Sequence, residues 1–328
     1  NIKGDMLFQK APANLGGISY GGSMSVRDNR FAGWYANGSY ELMSKYILSG
    51  SVRLDLTNFF GTDPKYRYKP TWSLGGTYKI SDENFFKPFK KIVNRFNLRG
   101  SYGVNGNISL SHTPYLVLSV GSFNTNTNGI SYGISGFPNN QLRWERTRIV
   151  NIGADISLLN DRIGIIAEYY SKKSTDLIAA DAIDYTRGTN SLTQNIGSVL
   201  NNGFELTISG DVLKSENFRW NSELIWSNNN NKLLTYNGNL THILNYATSS
   251  GALVPNYPMY GVWGVKYAGL DNTGTPLYFN NAGEKISSGN LQPADAVYLG
   301  SSTPTDELSF RNNFSYKNIS SSFCFKSI

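Results

Sequence analysis

The dominant signal in the chain is a period-two alternation of apolar and polar positions. From Tyr46 the even positions read Tyr46, Leu48, Gly50, Val52, Leu54 and Leu56, and the odd positions Ile47, Ser49, Ser51, Arg53, Asp55 and Thr57. Side chains alternate across a strand, so this segment predicts one apolar face and one mostly polar or charged face. The pattern precedes it at Trp34, Ala36, Tyr40 and Leu42. It follows at Trp72, Leu74, Gly76 and Tyr78, then at Phe96, Leu98, Gly100, Tyr102 and Val104. Further apolar faces start at Val150, Ile163, Phe204, Phe218, Leu308 and Ile319. The chain therefore predicts roughly ten strands of about ten residues, the length a tilted strand needs to cross a bilayer.

The connections alternate in length. Short turns are predicted after Leu42, at Leu159-Asn160-Asp161, at 213–217 and at Lys317-Asn318. Long Asn/Gly/Ser/Thr-rich connections are predicted at 59–70, 105–143, 179–202 and 230–305. Residues 81–94 are intermediate and predict a helical turn started by Ser81 or Asp82. If they belong with the short links, all short turns fall at one end of the sheet and all long loops at the other. That is the asymmetry of short periplasmic turns and long extracellular loops in outer-membrane barrels. A soluble sandwich, propeller or solenoid is the competing architecture; long loops would then fall at both ends, with strands of only about five or six residues.

Composition adjusts this picture only slightly. The chain has 328 residues, a formal net charge of +7, one cysteine and two histidines, and is rich in Tyr and Phe. No apolar run reaches the roughly 18–20 residues of a membrane-crossing helix, which leaves a strand-built barrel untouched. The charge is spread thinly, against a nucleic-acid-binding stripe. Cys324 alone forms no disulfide or metal cluster. His112 and His242 fall in predicted loops without a nucleophile context, and no phosphate-cradling glycine loop occurs. No catalytic residue, metal site or cofactor is expected. Asp271-Asn-Thr-Gly-Thr275 predicts a turn with glycine at positive φ rather than a calcium loop, whose closing Glu it lacks.

Several ordered stretches resemble the barrel of SusC/RagA-type TonB-dependent transporters of Bacteroidetes. They include Arg53-Leu-Asp-Leu-Thr-Asn-Phe-Phe-Gly61, Trp72-Ser-Leu-Gly-Gly76 and Asn97-Leu-Arg-Gly-Ser-Tyr-Gly-Val-Asn-Gly-Asn107. Asn140-Gln-Leu-Arg-Trp-Glu-Arg-Thr147, Glu168-Tyr-Tyr-Ser-Lys-Lys173 with Asp176, Asn195-Ile-Gly-Ser-Val199 and Tyr267-Ala-Gly-Leu-Asp271 continue the series. The resemblance implies an all-β, antiparallel transmembrane barrel. Residues 1–328 would be roughly the later half of about 22 strands, without the family's plug or N-terminal sandwich domain. It also implies outer-membrane lipid as surroundings, energy from the TonB complex, a SusD/RagB-like surface lipoprotein as lid, and an oligosaccharide or peptide as cargo. A half-barrel leaves strand edges unpaired in lipid, so the chain alone is not expected to transport.

Two groups of residues are candidates for function. Tyr246, Tyr257, Tyr260 and Trp263 gather in the 230–305 connection, where aromatic faces offer stacking area for a sugar or peptide, or pack the interior of a structured loop. Trp34, Trp72, Trp220 and Trp226 are expected instead in an interfacial girdle. On the polar face, Arg53, Asp55, Arg99, Asp155, Glu168, Glu205, Asp211 and Glu223 would line a hydrated lumen.

Overall fold

The computed structural model describes residues 30–57, 69–107, 114–124, 126–184, 186, 188–189, 191–236 and 252–328. The alternating segments form strands β1 (Phe31–Leu42), β2 (Tyr46–Thr57), β3 (Thr71–Lys79) and β4 (Val93–Asn107). After a small hairpin, β5 (Val117–Asn124) and β6 (Gly129–Gly136), come β7 (Glu145–Leu158), β8 (Ile163–Ala182), β9 (Ser191–Lys214) and β10 (Phe218–Thr235). Five short strands follow: β11 (Gly261–Gly264), β12 (Lys266–Leu270), β13 (Pro276–Phe279), β14 (Lys285–Ser287) and β15 (Val297–Ser301). The last two strands are β16 (Asp306–Tyr316) and β17 (Ile319–Ser327).

Ten strands make one sheet in the order β1-β2-β3-β4-β7-β8-β9-β10-β16-β17. Each neighbouring pair is antiparallel. The register lines up the two faces predicted from alternation. One row runs Tyr40, Leu48, Gly76, Gly100, Ile152, Tyr169, Phe204. The adjacent row on the other face runs Thr77, Arg99, Gly153, Glu168, Glu205, Ser227, Glu307.

The apolar face does not close on a core. Among the described residues the buried apolar side chains are few, and most lie in loops or at strand ends. Trp34, Leu48, Leu74, Leu98, Ile152 and Phe325 are exposed on a continuous surface. Soluble proteins rarely leave so large a contiguous apolar area open, whereas a bilayer requires it. The polar face is the one that a transmembrane barrel turns to its lumen.

All the short links fall at one end: 43–45, 80–92, 159–162, 215–217 and 317–318. Met43 and Ser44, and Leu159 to Asp161, have φ between 53° and 62°, the left-handed backbone that tight hairpin turns use to match strand twist. Asn94 holds the second of these turns, its Oδ1 accepting from the Asn160 N–H at 2.6 Å. The intermediate link contains the expected helical turns, as short 3-10 helices over Ile80–Asp82 and Asn84–Phe89.

The long connections contain more regular structure than the sequence predicted. Residues 179–202, expected as loop, are largely strand, because β8 continues to Ala182 and β9 begins at Ser191. The 105–143 connection holds β5 and β6, and 230–305 holds the end of β10 and the strands β11 to β15. Beyond the hydrocarbon both faces of a strand meet water, so alternation fades while the backbone ladder persists. At 24 residues β9 reaches about 80 Å, well beyond the roughly ten residues a crossing needs. Most of 59–70 lies outside the described residues.

Glu83 shows how the short-turn end is tied down. Its carboxylate accepts from Lys45 Nζ at 2.8 Å, Tyr46 Oη at 2.7 Å and Tyr78 Oη at 3.3 Å, and the two tyrosine rings stack at 4.9 Å. The Lys45 ammonium, and then the Tyr46 hydroxyl, hold the Glu83 carboxyl below the ordinary carboxylate range. A depressed carboxyl contributes stability that is present above its unfolded pKa and lost as pH falls through the folded value. Acidifying below about pH 4 is expected to release this link. Hydrogen exchange at the amides of 83–92 should accelerate over that window in the wild type, and show no such step in Glu83→Gln.

Candidate functional site

The inner wall carries a charged belt most of whose pairs run between strands, with Arg53 and Asp55 paired along β2. Arg99 on β4 reaches Asp155 on β7 with Nε at 2.8 Å, and Glu168 on β8 with Nη2 at 2.7 Å. Arg219 pairs with Asp211 at 2.7 Å, Arg53 with Asp55 at 2.7 Å, Arg311 with Glu223 at 3.5 Å and Lys326 with Glu307 at 3.0 Å. Of the inward residues predicted from alternation, Arg53, Asp55, Arg99, Asp155, Glu168, Asp211 and Glu223 are engaged in ion pairs, with Arg219, Arg311 and Lys326 as partners that the sequence pattern did not single out. Next to this belt, Lys172 Nζ sits 4.4 Å from the centre of the Tyr170 ring. That ring lies over Gly203, where any side chain would collide with it. A cavity of about 670 Å³ opens on the polar face among Arg95, Arg99, Asp155, Asp161, Asp211 and Arg219. Such a surface suits water and polar solutes.

The long-loop end is knitted together by residues from the stretches singled out in the sequence. Asn195 on β9 accepts from the Arg143 N–H at 3.0 Å and donates to the carbonyls of Arg143 (2.8 Å) and Asp176 (2.6 Å). Arg143 Nη2 lies 2.6 Å from Asp176 Oδ1. Asn139 Nδ2 donates to the Thr193 carbonyl at 2.8 Å, and Leu142 is fully buried beneath. Stretches more than fifty residues apart thus make one clamp on the β8–β9 extension.

Part of the aromatic group comes together. Tyr257 lies 4.8 Å from Trp263 and 5.1 Å from Tyr298, with Trp263 and Tyr298 at 5.6 Å, a closed triangle of rings. Tyr298 was not foreseen, since it lies on β15 far along the chain and joins only because β15 pairs with β11. Tyr260 stands outside the triangle and is exposed. Tyr246, like His112 and His242, lies outside the described residues. The platform is fixed to β10: Leu233 exchanges backbone hydrogen bonds with Tyr257 and Asn256, and Asn231 Oδ1 accepts from the Met259 N–H at 2.8 Å. Beside it, Asp271 Oδ1 accepts from the N–H groups of Thr273 (2.8 Å) and Thr275 (2.9 Å), with Gly274 at φ 83°. This is the turn expected from the sequence.

An apolar outer face, a charged inner face and links sorted by length define a segment of a transmembrane β-barrel of the bacterial outer membrane. The chain belongs to the TonB dependent receptor-like β-barrel family, whose model matches residues 4–321. It is 32% identical to the TonB-dependent receptor P26 of Formosa agariphila over 317 residues, 90% of this chain and 31% of that protein. It is 29% identical to the TonB-dependent receptor SusC of Bacteroides thetaiotaomicron over 281 residues, 83% of this chain and 24% of SusC. Among solved structures, the RagAB peptide importer in its open-open state is similar in fold, with a TM-score of 0.76 at 21% identity over 96% of this chain and 35% of that one. The chain spans about a third or less of the length of the relatives it matches. These relatives are receptors, not enzymes, and a soluble carbohydrate-binding module is not the architecture of this family.

Proposed function

We propose that the chain forms part of the wall of a TonB-energised outer-membrane importer of oligosaccharides or peptides, with roughly 22 strands in the complete barrel. The short-turn end is periplasmic and the long-loop end extracellular. A SusD/RagB-like surface lipoprotein covers the long-loop end as a lid, and the TonB complex acts through a plug domain of the whole protein. The observation that carries this reading is the charged belt of Arg99, Asp155 and Glu168 across three strands, because a wall built only to hold an adhesive loop has no need of a hydrated lumen. The likeness to SusC and the RagAB fold supports it.

In this reading the extracellular aromatic platform meets the cargo. Tyr260 and Tyr257 offer accessible faces, Trp263 is mainly the scaffold behind them, and Tyr246 extends the same connection. Uptake of a labelled oligosaccharide or peptide library by cells carrying the full receptor, with and without a functional TonB complex, tests the proposal. Accumulation that requires TonB supports import, while surface binding without accumulation in either strain favours a surface-binding barrel. Tyr260→Ser is expected to weaken capture of the cargo roughly fivefold, the value of about 1 kcal/mol of aromatic contact, with folding unchanged because the residue is exposed.

A further inference from the structure

The link between β3 and β4 has features that a hairpin connection does not need. Phe86 is buried, its ring 6.2 Å from Phe96 and 5.7 Å from Phe89. Phe96 stands on the apolar outer face, in one row with Ile156 and Ile165. The link therefore folds back over the lipid side of the wall, not across the lumen. With Phe86 used as the anchor, Phe85, Phe89 and Ile92 remain 64%, 59% and 62% exposed. Lysines are interleaved with them. Lys90 is paired with Asp82 at 3.5 Å, while Lys87 and Lys91 are exposed and make no ion pair among the described residues.

We propose that this segment is a binding site for anionic phospholipid in the leaflet at the short-turn end. Phe85, Phe89 and Ile92 enter the boundary of the acyl region, where amphipathic segments bury their apolar side chains. Lys87 and Lys91 donate to the headgroup phosphate, and a net negative lipid complements the two uncompensated charges. The site rests on the placement of the short-turn end at a membrane–water boundary, but not on what the barrel transports.

The test uses the full receptor, stripped of lipid in detergent and titrated with phosphatidylglycerol or phosphatidylcholine, with bound lipids counted by native mass spectrometry. Wild type is expected to retain phosphatidylglycerol in preference to phosphatidylcholine, and 0.5 M salt to abolish that preference through screening. Lys87→Gln with Lys91→Gln should lower phosphatidylglycerol retention about tenfold and leave phosphatidylcholine retention unchanged. Phe85→Ser with Phe89→Ser should lower both. The proposal is overturned if wild type shows no salt-sensitive preference, a result independent of whether any variant folds. It is equally overturned if the lysine variant binds like wild type, or if the segment mediates receptor dimers that the phenylalanine variant dissolves without changing lipid counts. Loss of nutrient uptake with lipid binding intact would bear on the importer assignment and not on this site.

Discussion

Ile152→Arg is expected to destabilise the folded receptor by about 2–4 kcal/mol, while Ser101→Arg, on the strand beside it, should cost less than about 1 kcal/mol. Ile152 lies midway along β7, 57% exposed, opposite Gly100 and Tyr169 in the apolar row. A guanidinium there sits at hydrocarbon depth with nothing to pair with. Ser101 points to the polar face, beside Asn151 in register, and an arginine there projects into water near the existing belt. Equilibrium unfolding in phospholipid vesicles by urea titration measures both variants. Equal costs would mean that the two faces had been assigned wrongly.

Asn195→Leu should release the long-loop clamp, at a local cost of about 2–4 kcal/mol. Leucine keeps the branched shape of the side chain but leaves the Arg143 N–H and the carbonyls of Arg143 and Asp176 without the partner they have now. Each stranded group costs roughly 1–3 kcal/mol when sheltered from water, and these are only partly sheltered. The loss should appear as faster hydrogen exchange and protease cleavage around 139–143 and 176–178, with the membrane-spanning strands as resistant as before. Asn195→Asp provides the control. It keeps the acceptor but sets a carboxylate against two carbonyl oxygens, so it should not restore protection. Unchanged exchange in both variants would show that Asn195 is dispensable and that Leu142 packing, the Arg143–Asp176 pair and the Asn139–Thr193 bond hold the clamp.

The sequence exposed some of this and hid the rest for identifiable reasons. Arg99, Asp155 and Glu168 could be assigned to one face because each falls on the polar phase of its own strand. Their meeting could not be read, since it depends on how β4, β7 and β8 are offset. Phe86 gave no signal at all: a phenylalanine in a Lys-rich link looks like any loop residue until Phe96 is seen beneath it. The strand extensions in 179–202 escaped because alternation disappears where both faces are wet. Of the aromatic candidates, Tyr257 and Trp263 were recognisable by their company, while Tyr298 required the pairing of β11 with β15.

What the sequence determined by itself was the side each residue takes and the end at which each link falls. Period-two alternation with a penalty for polar groups in lipid fixes the first, and turn chemistry fixes the second. What only the tertiary structure decided was register. Sliding one strand past its neighbour by two residues leaves every side chain on its original face, so alternation is blind to it. Ladder hydrogen bonds, the cross-strand grip of Arg99 and the turns at 43–45 and 159–162 remove that freedom, and with it they set which charges meet on the inner wall.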